Sequence, residues 1–188
     1  FKKTKKIPVI YQNLLLTTFH AFRHHIWAAD FTEIYWKQKK IYIATVLDLF
    51  AREIVGVSVS LRKGAQLTLQ SLWQALFHYP RPVIFHSDNG KEYEAKAFTV
   101  LLMEFNINIS RSRPGCPWEN GYQESFYSQF KVDLGDPNKF EHLGELIYNI
   151  YQTIYYYNNS RIHTKLKMPP RVFAEKIERS RKLVETVS

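Results

Sequence analysis

Residues 26–60, IWAADFTEIYWKQKKIYIATVLDLFAREIVGVSVS, hold three strand-like runs in succession. Ile26 to Trp36 is the first, Lys40 to Phe50 the second and Arg52 to Ser60 the third. All three are rich in β-branched and aromatic residues. The links between them are short enough to permit antiparallel hairpins. One residue is out of place in the first run. Asp30 follows Trp27-Ala28-Ala29, and a carboxylate inside an apolar strand is costly unless it is paired or bound to a cation.

Downstream, Leu69, Leu72, Trp73 and Leu76 mark a helix over Ala65 to Tyr79, which Pro80 and Pro82 stop. A short strand is expected from Val83 to Phe85, a helix from Ala95 to Phe105 and a strand near Asn108 to Ser110. Residues 111–118, RSRPGCPW, carry Pro114, Gly115 and Pro117 and read as a loop. Helices are then predicted over Glu119 to Asp133, Phe140 to Tyr157 and Pro169 to about Lys182. The order βββαβαβα with trailing helices indicates an α/β sheet covered on both faces.

Two further carboxylates stand where chemistry could use them. Asp88 follows the short strand, in His86-Ser87-Asp88-Asn89-Gly90, and strand ends are where α/β sheets place ligand groups. Glu124 falls on a predicted helix opposite the apolar Tyr122, Phe126 and Phe130, with Ser128 and Lys131 on its own side. Each has an ordinary structural reading: an edge residue, an Asp-Asn-Gly turn, a solvated Glu–Lys face. Together, three carboxylates from separate elements, with no His or Cys ligand set, favour a hard cation such as Mg²⁺ or Mn²⁺. Two such ions about 4 Å apart suit phosphoryl transfer.

Composition sets the outer limits. The chain has 188 residues, 45% apolar and 15% aromatic, enough for a packed core. No apolar run reaches the length of a membrane span, so no membrane partner is expected. The basic start, Phe1 to Tyr11, precedes a short and polar-interrupted apolar stretch, unlike a signal peptide. Phe1 in place of an initiator Met suggests a piece of a longer polypeptide. Cys116 is the only cysteine, which excludes an intrachain disulfide and weakly favours a reducing compartment. The histidines lack cysteine partners at zinc-site spacing. The formal charge of +9 is uneven: residues 1–25 carry five basic residues and no acid, residues 160–188 eight basic and three acidic, and residues 26–159 thirteen basic and fourteen acidic. Basic flanks around a near-neutral centre suggest contact with a polyanion.

The combination of words resembles the DDE transposase and retroviral-integrase superfamily, most closely the bacterial IS3-like insertion-sequence transposases. In that family 35 residues separate the second Asp from the Glu, and a Lys or Arg follows the Glu by seven. Here residues 89–123 number 35, and Lys131 stands seven after Glu124. The flanking words also match: Trp27-x-x-Asp30-x-Thr32; Val46-x-Asp48 with Arg52-x-Ile54-Val55-Gly56; and His86-Ser87-Asp88-Asn89-Gly90-x-x-Tyr93. They continue through Ser112-x-Pro114-Gly115-x-Pro117-x-Glu119-Asn120-Gly121-x-x-Glu124-Ser125-Phe126 and end with Tyr157-Asn158-x-x-Arg161-x-His163-x-x-Leu166-x-x-x-Pro170. Asn89 departs from the Arg often found after the second Asp. The resemblance spans roughly residues 13–175.

It implies a ribonuclease-H-like fold, an α/β architecture with a five-stranded mixed sheet flanked by helices. Residues 1–25 would be a basic linker and entry segment, 26–175 the catalytic core and 176–188 a basic helix end. A DNA-reading domain would lie outside this chain. Asp30, Asp88 and Glu124 would be the catalytic carboxylates and the ligands of two Mg²⁺ or Mn²⁺ ions. Lys131, Arg111, Arg113 and Asn120 would meet DNA, and His86 and Asn89 would support the carboxylates from behind. The partners implied are element-end and target DNA and further copies of the chain, as a dimer or larger multimer. The setting implied is the bacterial cytoplasm, in association with the nucleoid. Asp48, the rival carboxylate, reads as structural. A nuclease of the same fold, and a non-catalytic DNA-binding remnant, are the alternative functions.

Overall fold

A computed structural model describes residues 11–113 and 115–187. Its centre is the three-strand meander. β1 (Ile26–Trp36), β2 (Lys39–Asp48) and β3 (Ile54–Ser60) pair antiparallel, and β4 (Ile84–Ser87) and β5 (Asn108–Arg111) join in parallel. The order β3-β2-β1-β4-β5 puts β1 in the middle of the five-stranded mixed sheet. Six helices flank it: α1 (Ala65–His78), α2 (Lys91–Glu94), α3 (Lys96–Glu104), α4 (Gly121–Leu134), α5 (Leu143–Asn159) and α6 (Pro170–Val187).

The first hairpin is tight without glycine. Lys37 and Gln38 both take left-handed backbone, φ 44° and 63°, which matches the twist of the flanking strands. The backbone N–H of Lys37 donates to Asn138 Oδ1, and its ammonium to the Glu141 carbonyl, so the turn is anchored from outside.

Side chains alternate across the sheet, giving two cores. Ile26, Ala28, Ile43 and Leu47 pack with Phe126, Tyr127 and Phe130 of α4 and Leu146, Ile150 and Ile154 of α5. On the other face, Trp27, Ala29, Val46 and Val55 pack with Leu72 and Ala75 of α1 and Phe98 and Leu102 of α3. By the same alternation Asp30 belongs to the α4 face. No helix among the described residues is long and apolar enough to cross a membrane.

Several elements depart from the sequence expectation. The helix predicted over 95–105 is α3, and a short helix that was not predicted, α2, precedes it, separated by Ala95, whose backbone is extended at φ −54°, ψ 131°. A 3-10 turn, Pro117–Asn120, precedes α4, and α5 begins at Leu143 rather than Phe140. α1 buries Leu67, Thr68, Ser71, Leu72 and Ala75, not the face through Trp73, which is 51% exposed. Gly56 of β3 explains this choice. A Cβ there would collide with the Ser71 carbonyl oxygen and lie 3.0 Å from the Ala75 Cβ. The helix approaches β3 on Ser71 and Ala75, and its aromatic residues Trp73 and Phe77 are left exposed. Gly56→Ala is therefore expected to push α1 off the sheet and cost about 1–3 kcal/mol. Denaturant unfolding checks this: a midpoint equal to that of the unmutated protein would show that α1 is not held by close approach.

The termini are fastened to this body. Residues 1–10 of the expected linker lie outside the described residues. From Tyr11 the chain runs beside β5, with Arg111 N donating to Gln12 O and Leu14 N to Ser110 Oγ. α6 runs unbroken across residues 175–176. It is tied down by Glu53, whose fully buried carboxylate accepts from Arg171 (3.0 Å), Arg23 (2.6 Å) and the Tyr79 hydroxyl (3.2 Å).

Candidate active site

β1 and β4 are parallel with Ala28 opposite His86. Asp30 and Asp88 each lie two residues further on, Asp30 in the middle of β1 just past its pairing with β4 and Asp88 directly after β4, so the register sets the two acids beside each other. α4 crosses the same face and brings Glu124 in its first turn, where the positive end of the helix dipole favours a carboxylate. The three meet electrostatically at Asp30. Burial first, then the charges of Asp88 and Glu124, push the Asp30 carboxyl up to about 7, against the stabilising N–H of Phe31. Among the described residues no group of three or more His, Cys, Asp or Glu is closed up far enough to enclose a metal ion. The donor set is all oxygen, as a hard dication requires. Glu124 is exposed, so its side chain is free to turn inward.

Each acid has a distinct mount. Asp88 Oδ1 accepts the Gly90 N–H at 2.9 Å, the turn that Asp-Asn-Gly suggests. A Cβ on Gly90 would fall 2.9 Å from Asp88 Oδ1 and 3.2 Å from Glu92 Oε2, so glycine keeps that approach open. Glu92 is thus a fourth carboxylate beside the site, paired with Lys63 at 3.5 Å. The α4 mount is polar. Gln123, fully buried, donates to the Ala28 carbonyl at 2.7 Å and accepts from Thr45 Oγ1 at 3.0 Å. One turn later the Tyr127 hydroxyl donates to the Asp30 carbonyl at 2.7 Å. These bonds fix the rotation of α4 on β1, and with it where Glu124 points. Tyr93 packs in the core on the α1–α3 face of the sheet: it is 1% exposed, and burial, then the charges of Asp30 and Asp88 among others, push its phenol well up.

The remaining expected residues divide. Lys131 is exposed on the Glu124 side of α4, and its charge reaches Glu33 on β1. Arg113 is exposed and held by Glu119 at 2.6 Å. Arg111, expected on a DNA-facing loop, is instead the last residue of β5 and 2% exposed. Its guanidinium donates to the backbone carbonyls of Asp88 (3.0 Å) and Tyr93 (2.5 Å), so it braces the Asp88 turn from inside. Asn120, also expected to meet DNA, is 6% exposed at the end of the 3-10 turn. His86 does not face the carboxylates; its ring bridges Ser110 Oγ (2.8 Å) and Ser112 Oγ (3.1 Å) and ties β4 to the strand and loop beside it. Asn89 donates to the Ser112 carbonyl at 2.6 Å, closing the same joint. Asp48 is fully buried and accepts from the backbone N–H groups of His24 and Ala51, which makes it the pivot of the β2–β3 connection.

Gln123 and Tyr127 escaped the sequence reading because an apolar-periodicity search passes over polar residues. Tyr122, assigned to the core, is 37% exposed under the Arg52 guanidinium. The one available signal was their spacing, one turn apart on either side of Glu124.

A mixed sheet in this order, with one acid in the middle of its central strand, one just after the neighbouring parallel strand and one on the crossing helix, defines a ribonuclease-H-like core. The chain belongs to the integrase core domain family: residues 22–117 match one description of that domain and residues 105–170 a second. It is 35% identical over 144 residues to the transposase for insertion sequence element IS904 of Lactococcus lactis, covering 75% of this chain and 57% of that protein. It is 36% identical over 125 residues to the transposase InsF for insertion sequence IS3A of Escherichia coli K12, covering 65% and 43%. The chain thus spans about half the length of the curated relatives it matches. Among solved structures, the HTLV-2 integrase catalytic core domain in complex with magnesium superposes with a TM-score of 0.68 at 19% identity, over 82% of this chain and 98% of that one.

Proposed function

We propose that this chain is the catalytic core of a DNA transposase, a polynucleotidyl transferase in which Asp30, Asp88 and Glu124 hold divalent cations, two Mg²⁺ or Mn²⁺ ions in the working complex. The observation that carries this reading is the β1–β4 register and the crossing of α4, which bring the Asp88 and Glu124 charges to bear on a half-buried Asp30 in the middle of β1. Its support is the family membership and the likeness to transposases. Cations bound there would polarise the scissile phosphate and ease deprotonation of the attacking oxygen. The chain itself would hold the strand. Lys131, seven residues and about 10 Å along α4 from Glu124, meets a phosphate beside the reacting one. Arg113, on the loop before α4, is the second exposed cation of this edge. Water opens the phosphodiester at the element end, and the freed 3′-OH attacks target DNA. Because two ends must be joined together, a dimer or larger assembly on DNA is the working form.

The test is a cleavage and joining assay on labelled insertion-element ends with Mg²⁺. Joined products that vanish on chelation support the proposal. Cleavage without joining, under conditions where both ends are bound, makes the protein a nuclease.

The state of Asp30 adds a pH dependence. Its pKa lies above the ordinary 3.8, at about 7, so in the cation-free protein its proton favours the fold. That contribution is present at low pH and is lost as pH rises through 7. A cation must displace the same proton, so affinity rises with pH and levels off above 7. Mn²⁺ titrated calorimetrically is expected to bind about tenfold more weakly at pH 6 than at pH 8. Equal affinity at both would remove Asp30 from the ligand set.

A further inference from the structure

The run Tyr157-Asn158-x-x-Arg161-x-His163 is not used by the carboxylate chemistry. In the fold its Tyr157, Arg161 and His163 wall a cavity of about 440 Å³, bounded on the other sides by Arg52 and by the Tyr122–Ser125–Gln129 face of α4. Arg52 sits at the β2–β3 connection with left-handed backbone, φ 60°. Its guanidinium lies 3.9 Å from the centre of the Tyr122 ring, and Nη2 is 3.3 Å from His20 Nε2. Its Nη1 is buried without a hydrogen-bond partner among the described residues, and so is His163 Nδ1. Burial first, then the charges of Arg52, Lys165 and Arg161, hold His163 below its usual pKa, so four basic side chains converge here. The nearby acids do not neutralise them all: Glu119 is taken by Arg113 and Asn13, and Asp133 by Arg161 at 2.7 Å. Buried polar groups left unmet in a native fold call for an explanation, and an absent ligand is one.

We propose that this cavity is a second DNA site, which seats one backbone phosphate between Arg52, His163 and Lys165 with the attached nucleoside against Tyr122. The charge selects an anion. The volume falls within the range of about 300–1,000 Å³ for ligand pockets, more than a bare ion needs. An aromatic ring beside a guanidinium is the pairing on which nucleic-acid sites stack bases. DNA is favoured over a free nucleotide because α4 presents Glu124 on one face and Ser125 on the next, about 100° around the helix. A strand seated in the cavity continues over the same helix to the carboxylates. The inference rests on the DNA reading above.

The experiment measures binding of labelled single-stranded and duplex oligonucleotides to this chain by fluorescence anisotropy, in chelator and over a range of salt. The variants are Lys165→Gln, Arg52→Gln, their combination, and Lys96→Gln on α3 across the sheet. Lys165 is exposed, so its loss does not threaten the fold, and melting temperatures check Arg52→Gln. Each pocket variant is expected to weaken binding about three- to tenfold and lower the salt slope by about one, the combination by about two, with Lys96→Gln unchanged. Folded pocket variants with unaltered affinity and slope overturn the site and leave the proposed function standing. If thymidine monophosphate competes as well as the oligonucleotide, the pocket belongs to a free nucleotide and the DNA assignment is wrong. An unmutated chain that binds no DNA overturns both readings.

Discussion

Asp88→Asn is expected to abolish strand joining in Mg²⁺ while DNA binding survives or tightens. The substitution is gentle on the fold. An amide oxygen can still accept the Gly90 N–H that Asp88 Oδ1 holds at 2.9 Å, and the Arg111 brace grips the backbone carbonyl rather than the side chain. What disappears is one formal charge at the proposed dication site. The stabilisation that bound cations give the transition state amounts to several kcal/mol, so joining should fall on the order of a thousandfold. DNA loses a repulsive neighbour. Lys131→Ala provides the contrast: the carboxylates stay, one phosphate contact goes, and residual joining persists with a salt slope lower by about one. Affinity and joining measured side by side separate the two. Near-normal joining by Asp88→Asn would mean that these carboxylates are not the reacting site.

Glu53→Ala is expected to have the largest effect on stability. This carboxylate is fully buried and joins the N-terminal segment through Arg23, α6 through Arg171 and the end of α1 through Tyr79. Removing it leaves two guanidinium groups facing each other across an empty site. Breaking a buried charge cluster from one side costs about 3–5 kcal/mol, equivalent to on the order of 10 °C in melting temperature for a chain of this size. Calorimetry checks it. A shift of only about 2 °C, the equivalent of roughly 1 kcal/mol, would show that α6 and the entry segment are held by apolar packing instead.

What could be read in advance follows from how far each signal reaches along the chain. The hairpins of residues 26–60 were legible because enrichment in β-branched and aromatic residues, and the short links between the runs, are properties of neighbouring residues. Asp30, Asp88 and Glu124 were picked out because each is embedded in a word with family spacing. The burial of Arg111 was not. A basic residue beside Pro114 and Gly115 looks solvent-facing, and only the parallel pairing of β5 with β4 turns it under Asp88. The buried face of α1 was hidden for a related reason: it is selected by Gly56, on a different element, and runs through Ser71 and Ala75 rather than the largest apolar residues. Gln123 was invisible because its partners, the Ala28 carbonyl and the Thr45 hydroxyl, are far away in sequence.

The polar bolts that fasten α4 have a mechanical consequence. With Gln123 tied to Ala28 and Tyr127 tied to Asp30, the helix is a rigid post and the exposed Glu124 side chain is a hinged arm upon it. Capturing a cation then requires the arm to swing through its own torsions, with no segment to refold and no helix to slide. The entropy surrendered is that of one side chain, at most about 2 kcal/mol. On the proposed function the site would behave as a latch left ajar, which an arriving cation closes by drawing the Glu124 arm toward Asp30 and Asp88.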